Sequence, residues 1–209
     1  MTFKQKMVQL EKPSTQTYIT KEGTIPIILT APHTMKQERL DGSVKVREPF
    51  TRAIAKYVSE IMNCSYLIKE KDTLIDSNWE EIDAFKILLE EKIKKNNIKL
   101  VIDLHGASRE RDFDVELGTL NNLSADFSTI MELKEAFREN GVINIKMNHP
   151  FKGGGITKYI YGMTDIDIIQ IEINGKYRDI ENIDNMEKIC NSLIQFINQY
   201  ASYQDKKSI

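Results

Sequence analysis

The run Leu100-Val101-Ile102-Asp103-Leu104-His105-Gly106 constrains the fold more than any other stretch of the chain. It is a short apolar segment trimmed by ionisable residues, and it follows a polar amphipathic helix that ends near Asn96-Asn97. That context predicts a buried parallel strand rather than a helix. Side chains at the carboxyl edge of such a strand project into the crevice where open α/β sheets bind ligands. His105 stands at that edge, and Gly106 behind it permits a sharp turn and a close approach to the backbone.

The flanking segments alternate strand and helix signals. Residues 17–21 and 26–30 flank Glu22-Gly23 as a hairpin-like start, leading through Ile25-Pro26-Ile27-Ile28-Leu29 to Ala31-Pro32-His33. Residues 34–47 are polar and unpatterned, which predicts a long functional or mobile loop. A helix enters at Pro49, with Phe50, Ile54, Tyr57, Val58 and Ile61 three and four residues apart. Tyr66-Leu67-Ile68 predicts a short strand. Asp76, Ser77 and Asn78 offer caps for a helix carrying Ile82, Phe85, Leu88, Leu89 and Ile93.

Beyond His105 comes a charged loop, Arg109-Glu110-Arg111-Asp112, and then residues 113–119, which alternate as a half-exposed strand requires. Ser124 or Asp126 caps a helix that closes at Asn140-Gly141. Residues 142–147 and 166–173 predict two further strands, separated by a flexible glycine-rich loop at 150–155. A closing amphipathic helix carries Ile183, Met186, Ile189, Cys190, Leu193, Ile194 and Ile197. This order predicts one α/β domain over residues 1–209, a mixed sheet covered by helices on both faces.

Composition narrows the partners. The chain has 209 residues, 41% of them hydrophobic, enough for one sizeable core. Its 29 Lys and Arg nearly balance 31 Asp and Glu, so nothing in the charge argues for nucleic acid or an anionic membrane, and a small molecule is the expected partner. Cys64 and Cys190 fall in apolar helical patterns as buried free thiols, which fits a reduced cytoplasmic setting. No apolar run is long enough to span a bilayer, and the first residues lack a signal-like apolar core, so a soluble, non-exported protein is expected.

The chemistry gathers at strand ends. His33, His105 and Glu172 each follow or end a different apolar strand, so three elements deliver ionisable groups to one edge. Two imidazoles and a carboxylate are a usual ligand set for catalytic zinc. A metal there lowers the pKa of water to about 7 and polarises a carbonyl, while a separate carboxylate moves the proton to the leaving amine. A structural reading stands beside this one: a strand-end His is often only hydrogen-bonded, and Glu172 has Arg178 as a candidate ion-pair partner. His149, before Pro150, lacks a strand to fix it and belongs on the surface.

The blocks Ala31-Pro32-His33, Arg47-Glu48-Pro49, Asp103-Leu104-His105-Gly106, Leu117-Gly118-Thr119, Phe151-Lys152-Gly153-Gly154 and Gln170-Ile171-Glu172-Ile173-Asn174 together resemble the N-formylglutamate amidohydrolase family. That family is similar to zinc carboxypeptidases and aspartoacylases. The resemblance implies a three-layer α/β/α, phosphorylase/hydrolase-like fold with a mainly parallel sheet, and Zn2+-dependent cleavage of an N-acyl amide. It implies metal ligands at His33, Glu48 and His105 and a general base at Glu172. Glu38 and Asp41 compete with Glu48, which also suits the first turn of a helix. An N-acyl amino acid brings carboxylates for which Arg109 and Arg178, with Arg47 nearby, are candidate partners. Lys152 and Gly153 offer a charge and backbone N–H groups near an oxyanion. Tyr159 and Tyr161 are candidates for the pocket wall. A related N-acyl amino acid, a γ-glutamyl amide or a small peptide are the substrates left open. Two readings of other classes stand beside it: a binding or sensor module that keeps the fold without catalysis, and a metal-free enzyme using a histidine base oriented by Asp103.

Overall fold

Odd and even positions along three strands carry different chemistry. In Leu100–Ala107, Leu100, Ile102 and Leu104 are apolar and fully buried, whereas Val101, Asp103 and His105 pass from apolar to ionisable toward the carboxyl end. Asp167–Asn174 repeats the pattern, with Ile169, Ile171 and Ile173 on one side and Ile168, Gln170 and Glu172 on the other. Ile25–Ala31 does so with Ile27, Leu29 and Ala31 against Ile28 and Thr30. Because strand side chains alternate between faces, one face of the sheet is apolar throughout and the other turns polar at its carboxyl edge.

The computed structural model describes residues 1–163 and 165–207, with side chains as far as residue 203. In chain order its elements are α1 (Phe3–Leu10), β1 (Tyr18–Lys21), β2 (Ile25–Ala31), β3 (Gln37–Glu38), β4 (Val44–Lys45), α2 (Thr51–Met62), β5 (Cys64–Lys69), α3 (Ala84–Lys95) and β6 (Leu100–Ala107). There follow β7 (Val115–Gly118), α4 (Phe127–Glu139), β8 (Ile145–Met147), α5 (Gly155–Met163), β9 (Asp167–Asn174) and α6 (Ile183–Lys207). Seven strands form one sheet in the order β1-β5-β2-β6-β9-β7-β8. The central strands β5, β2, β6 and β9 are parallel, β1 is antiparallel to β5, and β7 is antiparallel to β9. This is the mixed, mainly parallel α/β sheet with helices on both faces that the sequence predicts.

The two faces are packed unequally. The even positions of β6 and the odd positions of β2 and β9 join α1, α2, α4 and α6 in one core, through residues such as Met7, Ile54, Phe137 and Leu193. On the other face, Phe85 and Leu89 of α3 and Ile156 and Ile160 of α5 form a smaller core with strand residues Ile28, Leu67, Val101 and Ile168. Each fully buried Leu or Ile contributes about 1.5–3 kcal/mol. Past that second core the face opens, and register places Thr30 beside Asp103, Asp103 beside Gln170, and His105 beside Glu172. Among the described residues no helix is long and apolar enough to cross a membrane.

Several local expectations are corrected. The start is not a hairpin, because β5 lies between β1 and β2. Gly23 makes this possible by packing on the entry to β5, where a Cβ would meet Asn63 O at 2.2 Å. Residues 34–47 contain the short β3–β4 hairpin, turned at Gly42 with φ +79°. Cys64 is on a strand, not a helix, although both cysteines are buried and free as expected. Asp83, not Asp76, Ser77 or Asn78, caps α3 by accepting from Lys86 N. Asp126 occupies the α4 cap position without a side-chain bond, and the Ser124 hydroxyl instead donates to Ile168 O. Strand β7 is fully buried rather than half-exposed, since Gly118 abuts Gly153, whose N would lie 2.6 Å from an added Cβ. Helices α1 and α5 lie outside the sequence expectations.

Candidate metal centre

His33 follows β2, His105 ends β6, and Glu48 enters from the loop after β4, with its N–H donating to His33 O at 2.8 Å. All three are at most 2% exposed. His33 Nδ1 lies 3.1 Å from Glu48 Oε1 and 3.1 Å from His105 Nδ1, and His105 Nδ1 lies 3.4 Å from Glu48 Oε2. One ligand atom from each falls within 4.8 Å of the others. The outer nitrogens are committed elsewhere: His33 Nε2 to Asp76 Oδ1 at 2.7 Å, and His105 Nε2 to Asp103 Oδ2 at 2.9 Å.

These contacts decide what the centre can hold. A neutral ring that donates Nε2–H to a carboxylate presents Nδ1 as a lone pair. Two lone pairs and a carboxylate then converge with no hydrogen between them, and Glu48 Oε2 is buried without a hydrogen bond. Such a set is stable around a cation, and carboxylates behind the imidazoles fix tautomer and orientation as in zinc sites. The donor set therefore fits the ion. Electrostatics point the same way: burial pushes the Glu48 carboxyl up, but the facing His33 and His105 outweigh it and hold it well below the usual range. Burial pushes His105 down, yet Asp103 and Glu48 outweigh this and raise it well above an ordinary histidine. A metal bound there would take the place of the proton that this raised affinity favours on His105.

Glu172 stands beside this group as the cross-strand neighbour of His105 and is 6% exposed. Burial, with the nearby Glu48 charge, raises its pKa, and His105 offsets part of that. Gln170 Nε2 donates to Glu172 Oε1 at 2.8 Å, while Gln170 Oε1 accepts from Gly154 N at 2.6 Å. A cavity of about 480 Å³ opens over His33, His105 and Glu172, walled by Arg39, Lys45, Trp79 and the Phe151–Gly154 loop.

Of the other sequence candidates, Lys152 and Gly153 line this cavity, Gly153 at φ +109°. Glu38 and Asp41 do not: Glu38 pairs with Lys36, and Asp41 accepts from Ser43 N. Arg109 is drawn to Asp179, and Arg47 to Glu11. Arg178 is buried beneath the sheet edge, its guanidinium donating to Ile173 O, Pro49 O and Ala107 O. Gly106 makes room for it, since a Cβ there would meet Arg178 Cζ at 2.4 Å. Arg109 and Arg178 are thus structural ties rather than pocket cations, and Arg178 does not pair with Glu172. Tyr159 and Tyr161 are outside the cavity, and His149 is exposed.

Residues the sequence reading missed complete the centre. Arg39 clamps Asp76 Oδ2 through Nε at 2.9 Å and Nη2 at 2.7 Å, and its guanidinium lies 4.6 Å from the Trp79 ring centroid. Lys45 Nζ sits 2.6 Å from Glu48 Oε1. Burial pushes Asp76 up, but hydrogen bonds from His33 and Arg39 bring it well below the ordinary carboxylate range. The signal for Gln170 was its place two residues before Glu172 on one strand face; nothing local marked Arg39 or Lys45.

Comparisons with known proteins bear on the fold and the family. No curated protein matches the chain. Among solved structures, it is similar to N-formylglutamate amidohydrolase from Ralstonia eutropha JMP134, with a TM-score of 0.65 at 12% identity over 90% of this chain and 98% of that one. It is also similar to a bacteriophage poly-gamma-glutamate hydrolase, with a TM-score of 0.60 at 10% identity over 94% and 95% of the two chains. A third likeness is to the catalytic domain of an N-acetylmuramoyl-L-alanine amidase from Bacillus (Paenibacillus) polymyxa var. colistinus, with a TM-score of 0.52 at 12% identity over 83% and 96%. Identities this low speak for a shared fold. The sequence model of N-formylglutamate amidohydrolase matches residues 73–177, a segment that carries Asp76, Asp103, His105, Gln170 and Glu172 and spans half the chain, and the chain belongs to the N-formylglutamate amidohydrolase family.

Proposed function

We propose that this protein is a zinc-dependent amidohydrolase that cleaves the amide bond of an N-acyl amino acid, with His33, Glu48 and His105 holding the metal and Glu172 as general base. The observation that supports it is the meeting of the Glu48 carboxylate with two imidazoles whose outer nitrogens are already bound by Asp76 and Asp103. A zinc ion held there supplies Lewis acidity, polarising the scissile carbonyl and lowering the pKa of water to about 7.

The chain's own residues do the rest. Glu172 takes a proton from the attacking water and passes it to the leaving amine nitrogen. Its burial favours the protonated form, so the carboxyl retains the proton between the two transfers. Gln170 holds that carboxylate in place through Oε1. Lys152, exposed on the rim without an ion-pair partner among the described residues, receives a substrate carboxylate, with Gly153 beside it. We place this activity in one domain of residues 1–209, acting on a small molecule in the cytoplasm, where reduced Cys64 and Cys190 persist.

The test is release of free amine from N-formylglutamate and other N-acyl amino acids by zinc-loaded protein. Turnover that a chelator abolishes and added zinc restores is the expected result. Failure to cleave any N-acyl amino acid after zinc loading contradicts the reading.

A further inference from the structure

A second cleft adjoins the metal centre, and we infer that it seats the continuation of a peptide-like substrate, an amide-linked chain of two or more amino-acid units. The inference deepens the amide-hydrolase reading of the neighbouring site and rests on it. The second cleft measures about 490 Å³ and shares Asn78, Trp79 and Gly154 with the cavity over the metal centre. That first cavity, about 480 Å³, already falls within the range of roughly 300–1,000 Å³ that suits one small ligand. The adjoining space is more than a single acylated amino acid requires.

The seam between the two is built by direct contact. A Cβ on Gly154 would meet Asn78 Oδ1 at 2.1 Å, and one on Gly155 would meet Asn78 O at 2.6 Å. Asn78 O and Oδ1 each accept a backbone N–H, from Gly155 and Ile156, both at 3.1 Å. The start of α5 is therefore locked to the loop after β5, and the path between the cavities has a fixed wall. Over that seam stands Trp79, 62% exposed although large and apolar. The Arg39 guanidinium lies over one face of this indole, 4.6 Å from its centroid, and the exposed remainder offers an apolar contact surface to an amide plane or side chain passing from one cavity to the other.

Beyond Trp79 the cleft carries charges of both signs. Lys158 and Glu81 are exposed and form no ion pair among the described residues. Lys86 is not free, because its ammonium is turned to the carbonyls of Glu80 and Glu81. Lys158 is thus the cation available to a carboxylate on the second unit of a chain.

Trp79 is the one tryptophan of the sequence, so its fluorescence reports binding directly. The probes are N-formylglutamate and N-formyl peptides of two, three and four glutamates, added to zinc-loaded, full-length Glu172→Gln protein. The expected result is a change in Trp79 emission and a Kd that falls at least tenfold between one unit and three. Gly162 lines the second cleft, and a Cβ there meets no atom within 4 Å. Adding Gly162→Phe fills the cleft, removes the gain with length and leaves the one-unit Kd unchanged; adding Lys158→Ala reduces the gain. A Kd independent of length, or an undiminished gain with Gly162→Phe, overturns the inference. Turnover by the unsubstituted enzyme on these probes and on the other N-acyl amino acids is read separately: if none is cleaved, the hydrolase reading fails, while the binding series still decides whether the cleft takes a chain.

Discussion

Asp103 Oδ2 lies 2.9 Å from His105 Nε2, two residues along the same strand, so one β-strand supplies both an imidazole of the candidate metal centre and the carboxylate that orients it. Thr30 on the neighbouring strand donates to the other Asp103 oxygen. Replacing Asp103 by Asn keeps the shape but weakens the hold on the ring. Zinc affinity is expected to fall about 10–100-fold in Asp103→Asn, measured by competition with a chelator, with Asp76→Asn behaving alike at His33.

Glu172 separates binding from chemistry. In Glu172→Gln, kcat is expected to fall about 10²–10⁴-fold with KM and zinc content nearly unchanged, measured by steady-state kinetics and elemental analysis. The base acts ionised, so kcat/KM rises as pH passes upward through its pKa. Because burial raises that pKa, the acid limb is expected above the ordinary glutamate value of about 4.3, and the pH profile checks it.

The two arginines predicted to bind substrate are expected to differ in stability instead. Arg178→Ala strands three carbonyl partners in a buried place and is expected to cost about 3 kcal/mol or more by denaturant unfolding. Arg109 is mostly exposed and among the described residues forms an ion pair only with Asp179, so Arg109→Ala is expected to change stability by less than about 1 kcal/mol.

Burial pushes the Cys64 thiol up to about 12 and raises Cys190 as well, so neither offers a thiolate near neutral pH. A thiol reagent at pH 8 is expected to label neither residue in the native protein and both after unfolding. Rapid labelling of the native protein contradicts the buried placement.

Strand alternation made much of this legible in advance. The run from Leu100 to His105 discloses both a central strand and the edge at which its ionisable residues lie, because period-two patterning and the strand's carboxyl edge are local properties. His33, His105 and Glu172 were found that way. Glu48 was marked by the family resemblance and not by patterning: fifteen residues separate it from His33, and in the structure its carboxylate, unlike those of Glu38 and Asp41, reaches both histidines. Arg178 misled for a related reason. A buried arginine beside a site residue looks like a ligand clamp in sequence, and only the placement of Pro49, Ala107 and Ile173 around it shows where its donors go. The insertion of β5 between β1 and β2 was likewise invisible, since strand order is set by long-range packing and not by the turn at Gly23.

The central claim is tested most directly by the metal content of the purified, tag-free protein beside its Glu48→Ala and His105→Ala variants, with folding checked by circular dichroism. About one equivalent of zinc in the unsubstituted protein, lost from both folded variants, is the expected result. A protein that takes up no metal even after reconstitution, or a Glu48→Ala variant that retains it undiminished, contradicts the account.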